Sequence, residues 1–467
     1  MSFLATCGWT ALSSLLVALM GLPLSSGLAH VLREATPRRR GLLWGLLLTP
    51  LFTPPLLTGY AYANFSLSLL HAPLLNRGLY ILILTCRLLS IGTLIKYFAP
   101  PDPLSPSALH CGLLLKSTQG FSYWSLRCGH LLRSVLPAFS AMFLIAFQEF
   151  ELSSLMVTDT WTVWLFDAQA LQMDRPSLLS RVVLPLGIEA ALLLMLLRSV
   201  LSSGAQTSQS YPPSGLSTSS RVILMLVPLL ACVMVTVVPT LFVVHSAWGG
   251  LIAVARDRAM PREVVTSLGY GLSSGLIATY ASRWLWLRNG HQSVLQPSSL
   301  LLLPGLFGAL ILSLAIRWLF QLPGLLVAYD TVLPTILALI LYLLPRAFLV
   351  QLAFAALASS DSVFTAQLLQ QGTSQQRRSG QQILWDLQGQ PLFLTAAITC
   401  LWGYFELTPA AILSPPGVNS APVRLYNQMH FGRGIIVSGM LLVSILTPLI
   451  VFVVAKFLVQ IIRRRTA

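Results

Sequence analysis

The polar residues of this chain gather in clusters. Between them run apolar stretches of about 20 residues in which apolar and polar positions do not alternate. Runs of that length are what a helix needs to cross the ~30 Å hydrocarbon core of a bilayer, whereas a transmembrane barrel would show alternating segments of about ten residues. The pattern predicts eleven spans, at 8–32, 41–63, 77–98, 131–157, 181–201, 221–245, 264–287, 298–320, 331–356, 389–412 and 433–457. The first is uncharged from Met1 to Leu32. It has no basic n-region and is long for the core of a secretory signal, so it counts as a true span. The expected fold class is an all-α polytopic membrane protein with about 11 transmembrane helices.

Composition agrees. Of 467 residues 55% are hydrophobic and 9% charged, with mean hydropathy +0.76, whereas a soluble domain carries roughly 25% charged residues. Such a chain cannot cover its own surface in water, and lipid must be the solvent for much of it. No segment is polar enough and long enough to hold an independent enzyme core, and the expectation is a protein that is not an enzyme.

The net charge of +15 raises the question of nucleic acid, but the cations sit at the ends of apolar runs, where they determine topology. Connections after odd-numbered spans, with the C-terminus, hold 18 Arg/Lys and those after even-numbered spans hold 8; with acids included the balance is +14 against +2. The positive-inside rule then predicts an N-terminus outside, a C-terminus in the cytoplasm, and no nucleic-acid partner. The six cysteines, Cys7, Cys86, Cys111, Cys128, Cys232 and Cys400, form no CxxC pair, and the seven histidines show no ligand spacing. Neither a disulfide framework nor a metal site is expected, and no Walker-type P-loop sequence occurs. No cofactor is expected.

The stretch 202–220, SSGAQTSQSYPPSGLSTSS, is rich in Ser, Gly and Pro and predicts a flexible cytoplasmic linker. It separates an expected first module at 1–202, of about 5 spans, from a second at 221–467, of about 6. Several features recur across it in order. Gly120 and Gly372 are 252 apart, Glu151 and Glu406 are 255 apart, and Arg87 and Arg346 are 259 apart. A near-constant offset suggests duplication, with both copies running the same way through the membrane.

At these positions the chain resembles the permease subunit of ATP-binding-cassette importers, most closely the fused two-module permeases of the iron(III) and thiamine uptake class. The first cytoplasmic loop, KSTQGFSYWSLRCGHLLRSVLP, keeps Gly120, Trp124 and the closing Leu136-Pro137 of the family's coupling loop. The second, AQLLQQGTSQQRRSGQQILWDLQGQP, keeps Gly372, Ile383 and Pro391. The segment LSPPGVNSAPVRLYNQMHFGRG, at 413–434, is similar to the family's stretch after the penultimate span. Leu114-Leu115-Lys116 and Ala366-Gln367-Leu368 stand where the family has Glu-Ala-Ala. The resemblance implies a membrane-embedded path for a small solute, with iron(III) the first choice and thiamine or another solute the second. It implies cytoplasmic ABC ATPase subunits, two of them, as partners, together with a periplasmic solute-binding protein and membrane lipid, and it places the chain in the inner membrane. An ion-gradient-driven secondary transporter is the other class that fits the composition.

Each candidate residue carries two readings. Gly120 and Gly372 either permit the sharp turn of a coupling helix or are ordinary loop glycines. Glu151 and Glu406 either face the path or its gate, or anchor helix ends at the headgroups. Arg87 and Arg346, within spans, are expected to snorkel or to pair with a neighbouring carboxylate rather than to touch substrate. Glu149 and Glu189 have no counterpart at the offset and remain unassigned.

Overall fold

The computed structural model describes residues 2–69, 71–98, 110–111, 113–114, 120–171, 173–202, 217–289, 297–357, 360–430 and 434–466. Of the expected linker, 203–216 lie outside them, and its last residues from Thr218 on already form the start of a helix. The described residues are helical apart from short turns. Contacts divide the chain into two units, Met1–Leu241 and Phe242–Ala467.

The first unit contains α1 (Phe3–Glu34), α2 (Pro37–Phe52), α3 (Pro55–Ser68), α4 (Pro73–Phe98), α5 (Gly120–Phe147), α6 (Glu151–Leu155), α7 (Trp161–Ala170) and α8 (Arg175–Ser202). It also holds α9 (Thr218–Cys232), which continues through a π-helical turn at Val233–Val237 into α10 (Val238–Arg256), whose residues from Phe242 onward belong to the second unit. Helices α1, α4 and α5 pack on one another, and a second cluster of Leu28, Leu32, Leu43, Leu47 and Leu89 joins α1 and α4 to α2.

The second unit contains α11 (Ala259–Asn289), a 3-10 turn at Pro297–Leu302, α12 (Leu303–Leu306), α13 (Gly308–Phe320), α14 (Leu326–Tyr329), α15 (Leu333–Leu357), α16 (Ser360–Leu369) and α17 (Ser374–Leu384). A π-helical turn at Trp385–Gly389 leads into α18 (Gln390–Phe405), followed by α19 (Thr408–Leu413), α20 (Ala421–His430) and α21 (Gly434–Thr466). Its core is the mutual packing of α11, α15 and α18.

Buried hydroxyls are tolerated because they bond back to their own helix, as Thr10 Oγ1 does to the Thr6 carbonyl (2.7 Å), Thr85 to Ile81 (2.7 Å) and Thr279 to Gly275 (2.8 Å). The same groups can then reach a neighbour. Thr279 and Thr399 share a 2.8 Å hydrogen bond between α11 and α18, and Gln351 of α15 donates to the Thr279 carbonyl at 3.0 Å.

The expectation of about eleven spans is corrected. Six straight helices among the described residues are long and apolar enough to cross a membrane: Phe3–Glu34, Pro73–Phe98, Arg175–Leu196, Ser219–Arg256, Leu333–Ala355 and Ile436–Arg463. Counting each of two bent pairs as one span raises the number to eight. The expected span 41–63 breaks at Thr53-Pro54-Pro55, where α2 and α3 meet at 73°. A proline opens α3 and lacks the N–H that would continue the previous helix. The expected span 298–320 bends by 108° ahead of Gly308, whose φ of 78° leaves the helical region.

The other three expected spans are not among the long apolar helices of the described residues. In α5 the apolar stretch is described over Ser134–Phe147, the side chains before it lying outside the described residues, and α18 is the 16-residue apolar end of a helix whose first half is polar. Sixteen residues rise about 24 Å, short of the hydrocarbon thickness. The helix α11 has the length, but its uncharged middle, 264–282, is diluted by Ser, Thr, Tyr and Gly and is not apolar enough. The expected pair of parallel permease modules is corrected as well, because no clear two-module repeat is resolved. Three of the six straight spans and most of Ser219–Arg256 lie in the first unit, and two lie in the second.

Much apolar surface remains exposed. Only 33% of the apolar window of Ser219–Arg256 is buried inside the protein, and Ile223, Leu226, Leu230, Leu241 and Ile252 are each more than half exposed. A ridge of that length is stable facing lipid and a liability in water.

Candidate functional site

The second expected coupling loop folds as a helical hairpin. Helix α16 ends in a tight run in which the N–H groups of Gln370, Gln371 and Gly372 donate to the carbonyls of Gln367, Leu368 and Leu369 at 3.0–3.2 Å. Thr373 then caps α17 in a reciprocal box. Its Oγ1 accepts from the Gln376 N–H at 3.4 Å, and its own N–H donates to Gln376 Oε1 at 2.9 Å. Gly372 sits in the turn without a positive φ. A Cβ there would meet the flexible end of Gln376 at 2.2 Å.

The closer fit is at Gly380, which the sequence reading did not single out. A Cβ there would stand 2.7 Å from the Ala366 carbonyl, so glycine is what lets α17 lie against α16. The signal available was the spacing TSQQRRSG, a capped helix with one small residue on an otherwise polar face. The outward face of α16 presents Phe364 (62% exposed) and Leu368 (52%) one turn apart. Arg377 and Arg378 are exposed on α17, and Arg377 Nε donates to the Gln370 carbonyl at 3.3 Å. Ile383 lies near the end of α17, and Pro391 occupies the first turn of α18.

The first expected coupling loop is placed differently. Gly120, Trp124, Leu136 and Pro137 all lie on the single helix α5. Leu136 and Pro137 are half-buried, while 115–119 and the side chains of 120–133 fall outside the described residues.

Glu151 and Glu406 stand where long helices break. Glu151 is 7% exposed and opens α6, just beyond the end of α5 at Phe147. Glu406 caps the end of α18 and is half-buried. In both units a short helix follows, then a turn, then a ten-residue helix, α7 or α20. In the first unit the Trp161 N–H donates to Thr10 Oγ1 of α1 (3.0 Å) and Trp161 Nε1 to the Phe147 carbonyl (2.9 Å). Thr160 bridges to Ser153 (3.1 Å) and Thr162 (2.8 Å), and Thr162 donates to the Glu149 carbonyl at 2.8 Å.

In the second unit the Ala421 N–H donates to Ser267 Oγ of α11 at 2.8 Å. Arg424 of α20 clamps two carboxylates ahead of and within the first turns of α11, Asp257 through Nη2 and Glu263 Oε2 through Nη1 at 2.8 Å. Burial pushes the Glu263 carboxyl above its ordinary value, while the hydrogen bond and charge of Arg424 pull it down. The clamp was not foreseen, because its partners are more than 160 positions apart.

Arg346 stacks 3.6 Å above the centre of the Tyr342 ring. Arg87 buries Nη1 with no hydrogen-bond partner among the described residues. Neither forms an ion pair in this set. No group of three or more His, Cys, Asp or Glu able to hold a metal occurs among the described residues.

Fold and surface define an all-helical protein with several membrane-crossing helices. No protein-family model, no curated protein and no solved structure matches the chain.

Proposed function

We propose that the chain forms the membrane path of an ATP-binding-cassette importer for a small solute. The observation that supports this most is the α16–α17 hairpin. It is a short, capped, closely packed pair of helices outside every candidate span. It offers an apolar ridge, Phe364 and Leu368, beside two arginines, Arg377 and Arg378. Such a ridge fits a groove on a separate protein, and here that protein is a cytoplasmic ATPase, bound in two copies. Gly120, Trp124, Leu136 and Pro137 on α5 serve the second docking element, with Gly372, Ile383 and Pro391 in the hairpin region. The N-terminus lies outside and the C-terminus in the cytoplasm of an inner membrane, and a periplasmic binding protein delivers the solute.

Glu151 and Glu406 line the path or its gate within their own units, where long helices end and the chain turns back. A carboxylate at a helix break attracts a hard, oxygen-loving cation, and iron(III) is the proposed solute. The chain itself carries no catalytic step, and ATP hydrolysis belongs to the partner. The test is uptake of labelled iron(III) by cells carrying the intact chain, no chain, or the Glu151→Gln, Glu406→Gln double variant. The account expects uptake to vanish without the chain and to fall at least tenfold in the double variant at equal membrane content. Uptake unchanged in the absence of the chain rejects iron(III), and uptake unchanged in the double variant rejects a charge role for the two carboxylates.

A further inference from the structure

A second feature of the second unit is independent of the transport reading. A shallow, open surface depression lies beside the hairpin, lined by Arg283, Gln370, Gln381, Leu384, Trp385, Gln388, Gly389 and Leu392. No carboxylate is among them. Arg283 makes no hydrogen bond or ion pair to another described residue. A second guanidinium, that of Arg463 on α21, sits 4.8 Å from the centre of the Trp385 ring. Three glutamine amides supply neutral donors around the same space.

Trp385, Gln388 and Gly389 of the π-helical turn Trp385–Gly389 line this depression. Such turns are rare, and they cluster at functional sites because the extra residue re-aims side chains out of the regular helical register. Here the turn folds the Trp385 ring back over Gly389. A Cβ on Gly389 would lie 2.4 Å from Trp385 Cε3, so only glycine permits the arrangement. The ring is also the platform on which the Arg463 guanidinium stacks. Guanidinium groups match phosphate oxygens in pairs. Two of them with three amides offer more donors than the two oxygens of a carboxylate can use.

We propose that this surface depression is a binding site for a phosphate group, carried either by an anionic lipid headgroup or by a soluble phosphorylated compound. Because the π turn joins α17 to α18, occupancy would fix the hairpin relative to the apolar helix α18 that follows it.

The test uses the full chain with Gln388→Cys, and with Cys111 and Cys128 replaced by serine, in lipid nanodiscs. The rate of maleimide labelling at position 388 is measured in phosphatidylcholine alone, in phosphatidylcholine with one part in three phosphatidylglycerol, and in phosphatidylcholine with added inorganic pyrophosphate at matched ionic strength. The proposal expects at least a fivefold slowing in one anionic condition. Slowing by phosphatidylglycerol assigns a lipid headgroup, and slowing by pyrophosphate assigns a soluble phosphate. The Arg283→Gln, Arg463→Gln variant should lose the protection while keeping its labelling rate in phosphatidylcholine alone, and Arg283→Lys should keep part of it. Equal rates in all three conditions overturn the proposal, as does protection that survives the double Gln substitution.

Discussion

The two short-helix segments that follow Glu151 and Glu406 solve one problem with different chemistry. In each, a ten-residue helix starts inside the protein, and its first N–H finds a hydroxyl on a long helix, Thr10 in one unit and Ser267 in the other. A buried N–H left without an acceptor costs about 1–3 kcal/mol, which explains why a hydroxyl stands at both places. Each turn also needs a residue with positive φ. Gly417 supplies it at 79° without strain, whereas Val157 adopts 50° despite its branched side chain. The Met156 carbonyl is held beside that strained residue by Ser66 and by Asn76 Nδ2 at 3.0 Å. Lateral anchoring differs most. The first unit uses neutral hydroxyls and the buried Trp161, and the second uses the Asp257–Arg424–Glu263 clamp. Equivalent backbone demands therefore fix the small contacts, and the side chains that hold each segment sideways are free to differ.

The comparison breaks most sharply at Trp161, which is 1% exposed and has both its N–H groups hydrogen-bonded. Trp161→Ala should destabilise the first unit by about 3–5 kcal/mol, seen as a lower unfolding midpoint in nanodiscs and as new protease cleavage between α6 and α7. At Arg424, substitution by Ala leaves a buried carboxylate, Glu263, and a half-buried one, Asp257, without their cation. The expected loss is about 3 kcal/mol, read from denaturant unfolding of the second unit. Raised salt should erode wild-type stability there only slightly, because a partly buried ion pair is screened much less than an exposed one, and should leave the Trp161 segment unchanged, because screening acts on charges and not on neutral hydroxyls. Val157 offers the smallest effect and the opposite sign. Val157→Gly should raise stability by about 1 kcal/mol through relief of the left-handed conformation, whereas Gly417→Val should lower it; equal effects of the two changes would show that the turns are not equivalent.

Hydropathy made the solvent and the helical class legible, and the six straight spans all lie on stretches it marked. It failed where composition and backbone part company. Residues after Phe147 and Phe405 stay apolar enough to extend an expected span, but the chain turns there. Pro54-Pro55 and Gly308 are visible breakers that an apolar run of sufficient length concealed. In α11 the long helix survives with charges at both ends, so the helix was legible and its apolar length was overstated. The hairpin glycine Gly372 drew notice through its recurrence, whereas Gly380, which sets the helix approach, lies on a polar stretch with no pattern to mark it. Contacts between residues far apart in sequence, such as Arg424 with Glu263, leave no local trace at all.

The central claim is that the α16–α17 hairpin docks the chain on an ATPase. It is tested by isolating the full chain from its native membrane and counting the copies of ABC ATPase that come with it. The account predicts two copies per chain, lost in the Phe364→Asp, Leu368→Asp variant at unchanged membrane insertion. Isolation of the intact chain without an ATPase, or retention of the ATPase by that variant, would contradict it.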